Sequence, residues 1–243
     1  GRSTLSPAGR QRSSVALVLS LSFPLALFAA EPAIDLEGKL DPAALYSTLE
    51  GEPVFSEAAV ELVEQLESKH YASVEVDDAF SSLVFDKYLD ALDGSKLYLL
   101  SSDVQRIARY RYTLDNSLAE GDLSPAYEIY NIYHQRVIDR LVYAIERIDT
   151  AVPTMDFTLD EYLTLDREDA PFAQSKEELD ELWRKRVKNS VLSLRLTGDT
   201  DEEIIEKLGK RYRNQLRQVL KTNGKDVFQA YLSTVASSVD PHT

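Results

Sequence analysis

Two runs of carboxylates are the first groups in this sequence that could do chemistry. Glu177, Glu178, Asp180 and Glu181 form one, and Asp199, Asp201, Glu202 and Glu203 form the other. Carboxylates this close can hold a cation or share a proton. Both runs, however, fall in or just before the first turn of an expected helix. There the free N–H groups and the helix dipole favour negative charge without any ligand. A calcium loop needs a glycine at its sixth position and a glutamate at its twelfth, and the stretch from Asp199 has neither. The capping reading is therefore the expectation, with no metal and no cofactor.

The other candidates are few. His70, His134 and His242 are the only histidines, no two at a metal-ligand spacing, and there is no cysteine to complete a zinc site. His134 falls on the apolar stripe of a long helix, which points to a packed histidine. Neither Gly-x-Ser-x-Gly nor Ser-x-x-Lys occurs. A Ser–Lys pair assembled from distant positions leaves no trace in spacing, and it would need a lysine desolvated enough to lose its proton. No catalytic residue is assigned. Tyr127, Tyr130 and Tyr133, at three-residue spacing in "YEIYNIYHQR", leave two readings open. They form a partner-binding stripe, or they pack helix on helix with their hydroxyls at the rim.

The elements that must position these groups read as helices. Ser56 is expected to cap a helix over 57–70, and Asp77 a second bearing Phe80, Val84, Tyr88 and Leu92. Ser102 with Gln105 suggests a capping box for a third, stopped at Gly121. Ser124-Pro125 opens the longest, with Val137, Leu141, Ile145 and Ile148 on one face. Ser175 with Glu178 and Thr200 with Glu203 open two more, and a last helix carries Phe228, Tyr231, Val235 and Val239. Trp183 is expected in the core. No alternating strand pattern of useful length appears. The fold class is all-α, an array of about seven main helices. The expected organisation is an extended arm at 31–55 with a short turn near 43–49, a first helical group at 56–150, a crossing linker at 151–174 and a second group at 175–243.

Before the arm, Arg2, Arg10 and Arg12 precede "VALVLSLSFPLALFAA" at 15–30, with no acid before Glu31. Basic region, apolar core and small residues in that order read as a signal peptide over 1–30, hence export to the periplasm. The competing reading is a retained anchor. Cleavage would remove three arginines and take the formal charge from -14 to -17. Such a surface repels phosphate backbones and anionic lipid, so nucleic acid is excluded as a partner.

Three stretches in order carry a likeness to a known family. "HYASVEVDDAFSSLVFDKYLDALDGSKLYLLSSDV" at 70–104, "MDFTLDEYLTLDREDAPFAQSKEELDELWRKRVKNSVLSLRLTGDTDEEI" at 155–204 and "DPHT" at 240–243 resemble the N-terminal region of tail-specific proteases, the carboxy-terminal processing peptidases. The resemblance implies a longer parent, continuing past 243 into a PDZ domain that recognises apolar C-termini and a core with a Ser–Lys dyad. No position here matches either dyad motif. By resemblance, this region supports the PDZ and protease domains, bears on an adaptor lipoprotein at the periplasmic side of the inner membrane, and meets unfolded substrates through the parent. The alternative expectation is a free-standing periplasmic helical binding module.

Overall fold

The computed structural model describes residues 33–68 and 75–239. The leader at 1–30, His70, His242 and the Asp-Pro-His-Thr end at 240–243 lie outside the described residues.

The fold is all-α: nine α-helices and no strand among the described residues. After an arm beginning at Asp35 come α1 (Pro42–Leu45), α2 (Pro53–Ser68) and α3 (Asp78–Asp93). Asp41 and Asp77 cap α1 and α3, accepting from Ala43 N at 3.0 Å and Phe80 N at 2.9 Å. Helix α2 starts earlier than Ser56 suggests. Pro53 supplies a preset φ and lacks only an N–H the first turn would not use, so Ser56 sits inside the helix.

The expected third helix is broken. It becomes α4 (Ser101–Ile107), a 3₁₀ turn (Ala108–Tyr110) and α5 (Leu114–Ala119). Ser102 and Gln105 do not form its box; Asp103 does the work, its carboxylate accepting from Leu100 N at 3.0 Å. The break is held by Ser81 of α3, fully buried. Its hydroxyl donates to the Arg111 carbonyl and accepts from Leu114 N, both at 2.8 Å. One side chain thus satisfies two backbone groups that a continuous helix would have paired internally.

Helix α6 (Ser124–Ala151) is the spine, 28 residues long, or ~42 Å at 1.5 Å per residue. After an irregular segment come α7 (Lys176–Leu196), α8 (Asp201–Leu220) and α9 (Gly224–Val239). Thr200 and Glu203 make the full reciprocal box on α8. On α7 only half of it forms: Ser175 caps Glu178 N, while Glu178 reaches Gln174 N instead. A further box, invisible in the Ser/Thr pattern, opens α9, where Asn223 and Asp226 exchange backbone N–H bonds at 2.9 and 3.1 Å.

Two apolar cores share the spine. Val137, Ile138, Leu141, Ile145 and Ile148 of α6 pack with α7, α8 and Leu36 of the arm. Ala126, Tyr127 and Ile129, one turn-set earlier, pack with α2, α3, α5 and α9. The cores are not contiguous in sequence: α9 returns past α8 to lie against α3, with Tyr231 tilted on Tyr88 at 5.1 Å between centroids.

Candidate interaction surface

The carboxylate runs are occupied by the helices themselves. Asp180 accepts from Arg140 and Lys176, both at 2.6 Å, and Glu181 from Arg184. Asp199 takes Lys207 at 2.8 Å, Asp201 takes Arg195, and Glu203 caps Thr200 N. Among the described residues no group of three or more His, Asp or Glu is arranged to hold a metal. His134 is buried, its Nε2 bonded to the Val219 carbonyl at 2.9 Å. Lys87 approaches a serine only through backbone, donating to the Ser237 carbonyl at 2.6 Å, while the Ser237 hydroxyl donates to Thr234.

The tyrosine stripe packs inward. Tyr127 donates to the Gly224 carbonyl at 2.6 Å, fastening α6 to the start of α9. Tyr133 stands edge-on to Tyr98 and to Tyr130, and burial pushes its hydroxyl well above the ordinary tyrosine range. Of the two open readings, helix packing is the one these contacts support.

Side chains that spacing did not single out hold the irregular parts. Asp93, 2% exposed, ends α3 and accepts from Leu97, Tyr98 and Leu99 N–H groups at 2.7, 3.1 and 2.8 Å. Burial pushes its carboxyl above the ordinary range while those donors pull it back. The turn it shapes puts Lys96 at φ 51° and offers the Leu97 carbonyl to Trp183 Nε1 at 2.7 Å. Asn131 of α6 grips the arm, accepting from Leu49 N at 2.8 Å and donating to Leu49 O at 2.9 Å. That arm and α6 border an open groove of about 830 Å³. The one sequence cue to these roles is "LDG" at 92–94, a helix end followed by a turn.

The irregular segment between α6 and α7 exposes several large apolar side chains. Its second half is tied down. Ser101 N donates to Ala173 O at 2.8 Å, and Arg167 and Lys96 join it to the 93–99 turn. In the middle, Glu161 is clamped by Arg184 and Lys188 of α7. Those two cations, Arg184 first, hold its carboxyl down to about 2. Around that anchor Leu159, Tyr162 and Leu165 are 56%, 80% and 72% exposed, and Leu192 of α7 is exposed beside them. Phe157, Leu163 and Leu192 help line a groove of about 230 Å³. Apolar side chains exposed to this extent are characteristic of surfaces that meet another chain. No described helix is long and apolar enough to cross a membrane.

Comparison with known proteins places this body. Residues 62–243 match the family described as Tail specific protease N-terminal domain. The chain is 35% identical over 180 residues to the Tail-specific protease of Haemophilus influenzae, covering 74% of this chain and 26% of that protein. It therefore spans about a quarter of the length of that relative.

Proposed function

The chain belongs to the tail-specific protease N-terminal domain family, and from that premise we propose that it is the non-catalytic helical support of an exported tail-specific protease. In this reading α2–α9 form a rigid body against which the PDZ and protease regions of the parent are mounted. Its outer face contacts an adaptor lipoprotein in the periplasm. Peptide hydrolysis, through an acyl-enzyme with lysine as base, belongs to the parent's other regions, which take unfolded proteins by apolar C-termini.

The observation that carries the proposal is the match over 62–243, an unbroken span from α2 onward. The exposed apolar row at 159–165 supports it, because a mounting surface must be apolar where it meets the rest of the protein.

The test is a graft. Residues 62–243 replace the matched region of the Haemophilus protease, and turnover of a peptide with an apolar C-terminus is followed. The graft is expected to cleave and the 243-residue chain alone to be inert. A folded, soluble graft without turnover refutes the support role. Turnover by the chain alone refutes its non-catalytic character.

A further inference from the structure

The groove of about 830 Å³ beside the arm shares no lining residue with the 159–165 row. Its floor is one face of α6, where Tyr127, Asn131, Ile132 and Gln135 recur at helical spacing. From Ser124 to Gln135 that floor runs ~16 Å. Its sides are the arm from Tyr46 to Pro53, Arg106 of α4 and the 121–123 turn. Leu49, Leu123, Tyr127 and Ile132 give it apolar surface. The arm side is held in place. Asn131 bonds both backbone groups of Leu49, and a Cβ added at Gly51 would stand 3.0 Å from the Tyr127 ring.

The charge around this groove has one sign. Glu50, Glu52, Asp122 and Glu128 line it against a single guanidinium, Arg106. Arg106 lies 3.8 Å from Glu128, whose carboxylate Arg109 also holds. Glu50, Glu52 and Asp122 are exposed, and none forms an ion pair among the described residues; Asp122 accepts only from Ser124 N, at 2.9 Å. Residues 40–68 as a whole carry seven carboxylates and no lysine or arginine. Burial, and after it the Glu52 carboxylate, raises the Tyr127 hydroxyl above its ordinary range. That carboxylate is therefore within electrostatic reach of the floor.

We propose that this groove docks a short stretch of a partner protein in which lysine or arginine stands beside apolar side chains. Charge complementarity selects the occupant. An acidic stretch would set like charges against Glu50, Glu52 and Asp122. A wholly apolar one would cover those carboxylates and leave them without a partner, which is costly. A basic stretch without apolar side chains would gain nothing from Leu49, Leu123 and Ile132. The floor is long enough for about five residues of extended chain. This goes beyond the support role and does not rest on it, since the groove lies wholly within the chain.

The experiment uses the 243-residue chain and a fluorescent peptide, Lys-Leu-Leu-Lys-Lys-Leu-Leu-Lys, followed by anisotropy at about 0.15 M salt. Saturable binding is expected, weakened at least about tenfold when glutamate replaces lysine and about tenfold when serine replaces leucine. A Glu50→Gln, Glu52→Gln protein should melt like the parent, since both side chains are exposed and unpaired, and bind about fivefold more weakly. Glu61→Gln, Glu64→Gln removes the same charge from α2 outside the lining and should change binding less than about twofold. Absence of saturable binding overturns the proposal. Equal losses in the two double variants overturn it by showing attraction to the acidic surface at large. Undiminished binding of the serine peptide overturns it by showing that the apolar floor takes no part. Self-association of the chain that Glu50→Gln, Glu52→Gln removes overturns it in favour of a second copy as occupant, through its 207–225 stretch of seven cations and no acid. Each result is independent of whether the graft cleaves.

Discussion

Replacing Trp183, the chain's single tryptophan, separates packing from hydrogen bonding at the joint that holds the irregular segment. The indole is 3% exposed and tilted against Tyr98 at 5.7 Å. Arg186 lies 5.5 Å from its centroid, and Nε1 donates to the Leu97 carbonyl at 2.7 Å. Trp183→Ala removes all of this and leaves a cavity between α7 and the 93–99 turn, at a cost of ~3–5 kcal/mol. Trp183→Phe keeps most of the ring and loses the hydrogen bond, at ~1–2 kcal/mol including the carbonyl left without its donor. Urea unfolding followed by far-UV circular dichroism measures both, because the fluorescent group is the one removed. The two values should differ by ~2–3 kcal/mol with similar denaturant slopes. Because Leu97 leads to Leu100, which bridges to Ala173, Trp183→Phe should also speed protease nicking within 155–173. A Trp183→Ala cost below ~1 kcal/mol would refute the reasoning, since no filled core site of this size yields so cheaply.

Three further outcomes are expected. At Gly224 an added Cβ would fall 1.9 Å from the Glu50 carbonyl, so Gly224→Ala should push the arm off α9 and cost ~1–3 kcal/mol in a thermal or urea melt; an unchanged midpoint would show that the arm does not lie there. Asn131→Ala removes both bonds to Leu49 and should cost ~1–3 kcal/mol in urea unfolding, with earlier proteolysis near 46–52 as a second readout. Glu161 has its carboxyl lowered from an ordinary 4.5 to about 2, so the fold favours its ionised form. That contribution is full above the ordinary value and is lost as pH falls from 4.5 towards 2. Pepsin should therefore nick 157–165 increasingly across that window, while Glu161→Gln is nicked already at its upper end; identical profiles would show that the clamp does not hold the segment.

Much of the fold was legible because its signals are local. Thr200 with Glu203, Asp77 before Phe80 and the apolar stripe of α6 each encode their element within one or two turns. The all-α class followed from such signals, as did the burial of Trp183. The misreadings have one cause, a distant group competing with a local one. Ser102 resembled a cap, but Asp103 reached the backbone first. The 101–119 stretch reads as one helix until Ser81, some thirty residues earlier, supplies the bonds that let it break. The grip of Asn131 on Leu49 spans 82 positions and has no periodicity to betray it. The interaction row was harder still. Phe157, Leu159, Tyr162, Leu163 and Leu165 stand among acids without a helical period, so composition marks them as linker.

The placement of charge distinguishes the sealed parts of this body from the open one. Three junctions along the spine are closed by an arginine on a carboxylate from another element. Arg136 meets Asp103 at 2.8 Å, Arg140 meets Asp180 at 2.6 Å, and Arg213 meets Asp149 at 2.5 Å. Arginine suits these sites, because its fork can satisfy a half-buried carboxylate and a backbone carbonyl together, as Arg213 does with Asp149 and the Leu36 carbonyl. A chain with 41 acidic and 27 basic residues cannot do this everywhere. The shortage of cations is spread over the surface: Glu57, Glu61 and Glu64 of α2 and Glu202 and Glu206 of α8 form no ion pair among the described residues, and neither do Asp160, Asp166, Glu168 and Asp169 near the exposed apolar row. A segment meant only to be solvated would carry the acids without Leu159, Tyr162 and Leu165. A surface that buries itself in an interface keeps such apolar side chains at its covered centre and leaves the acids at a wet rim, since unpaired charge is costly to cover.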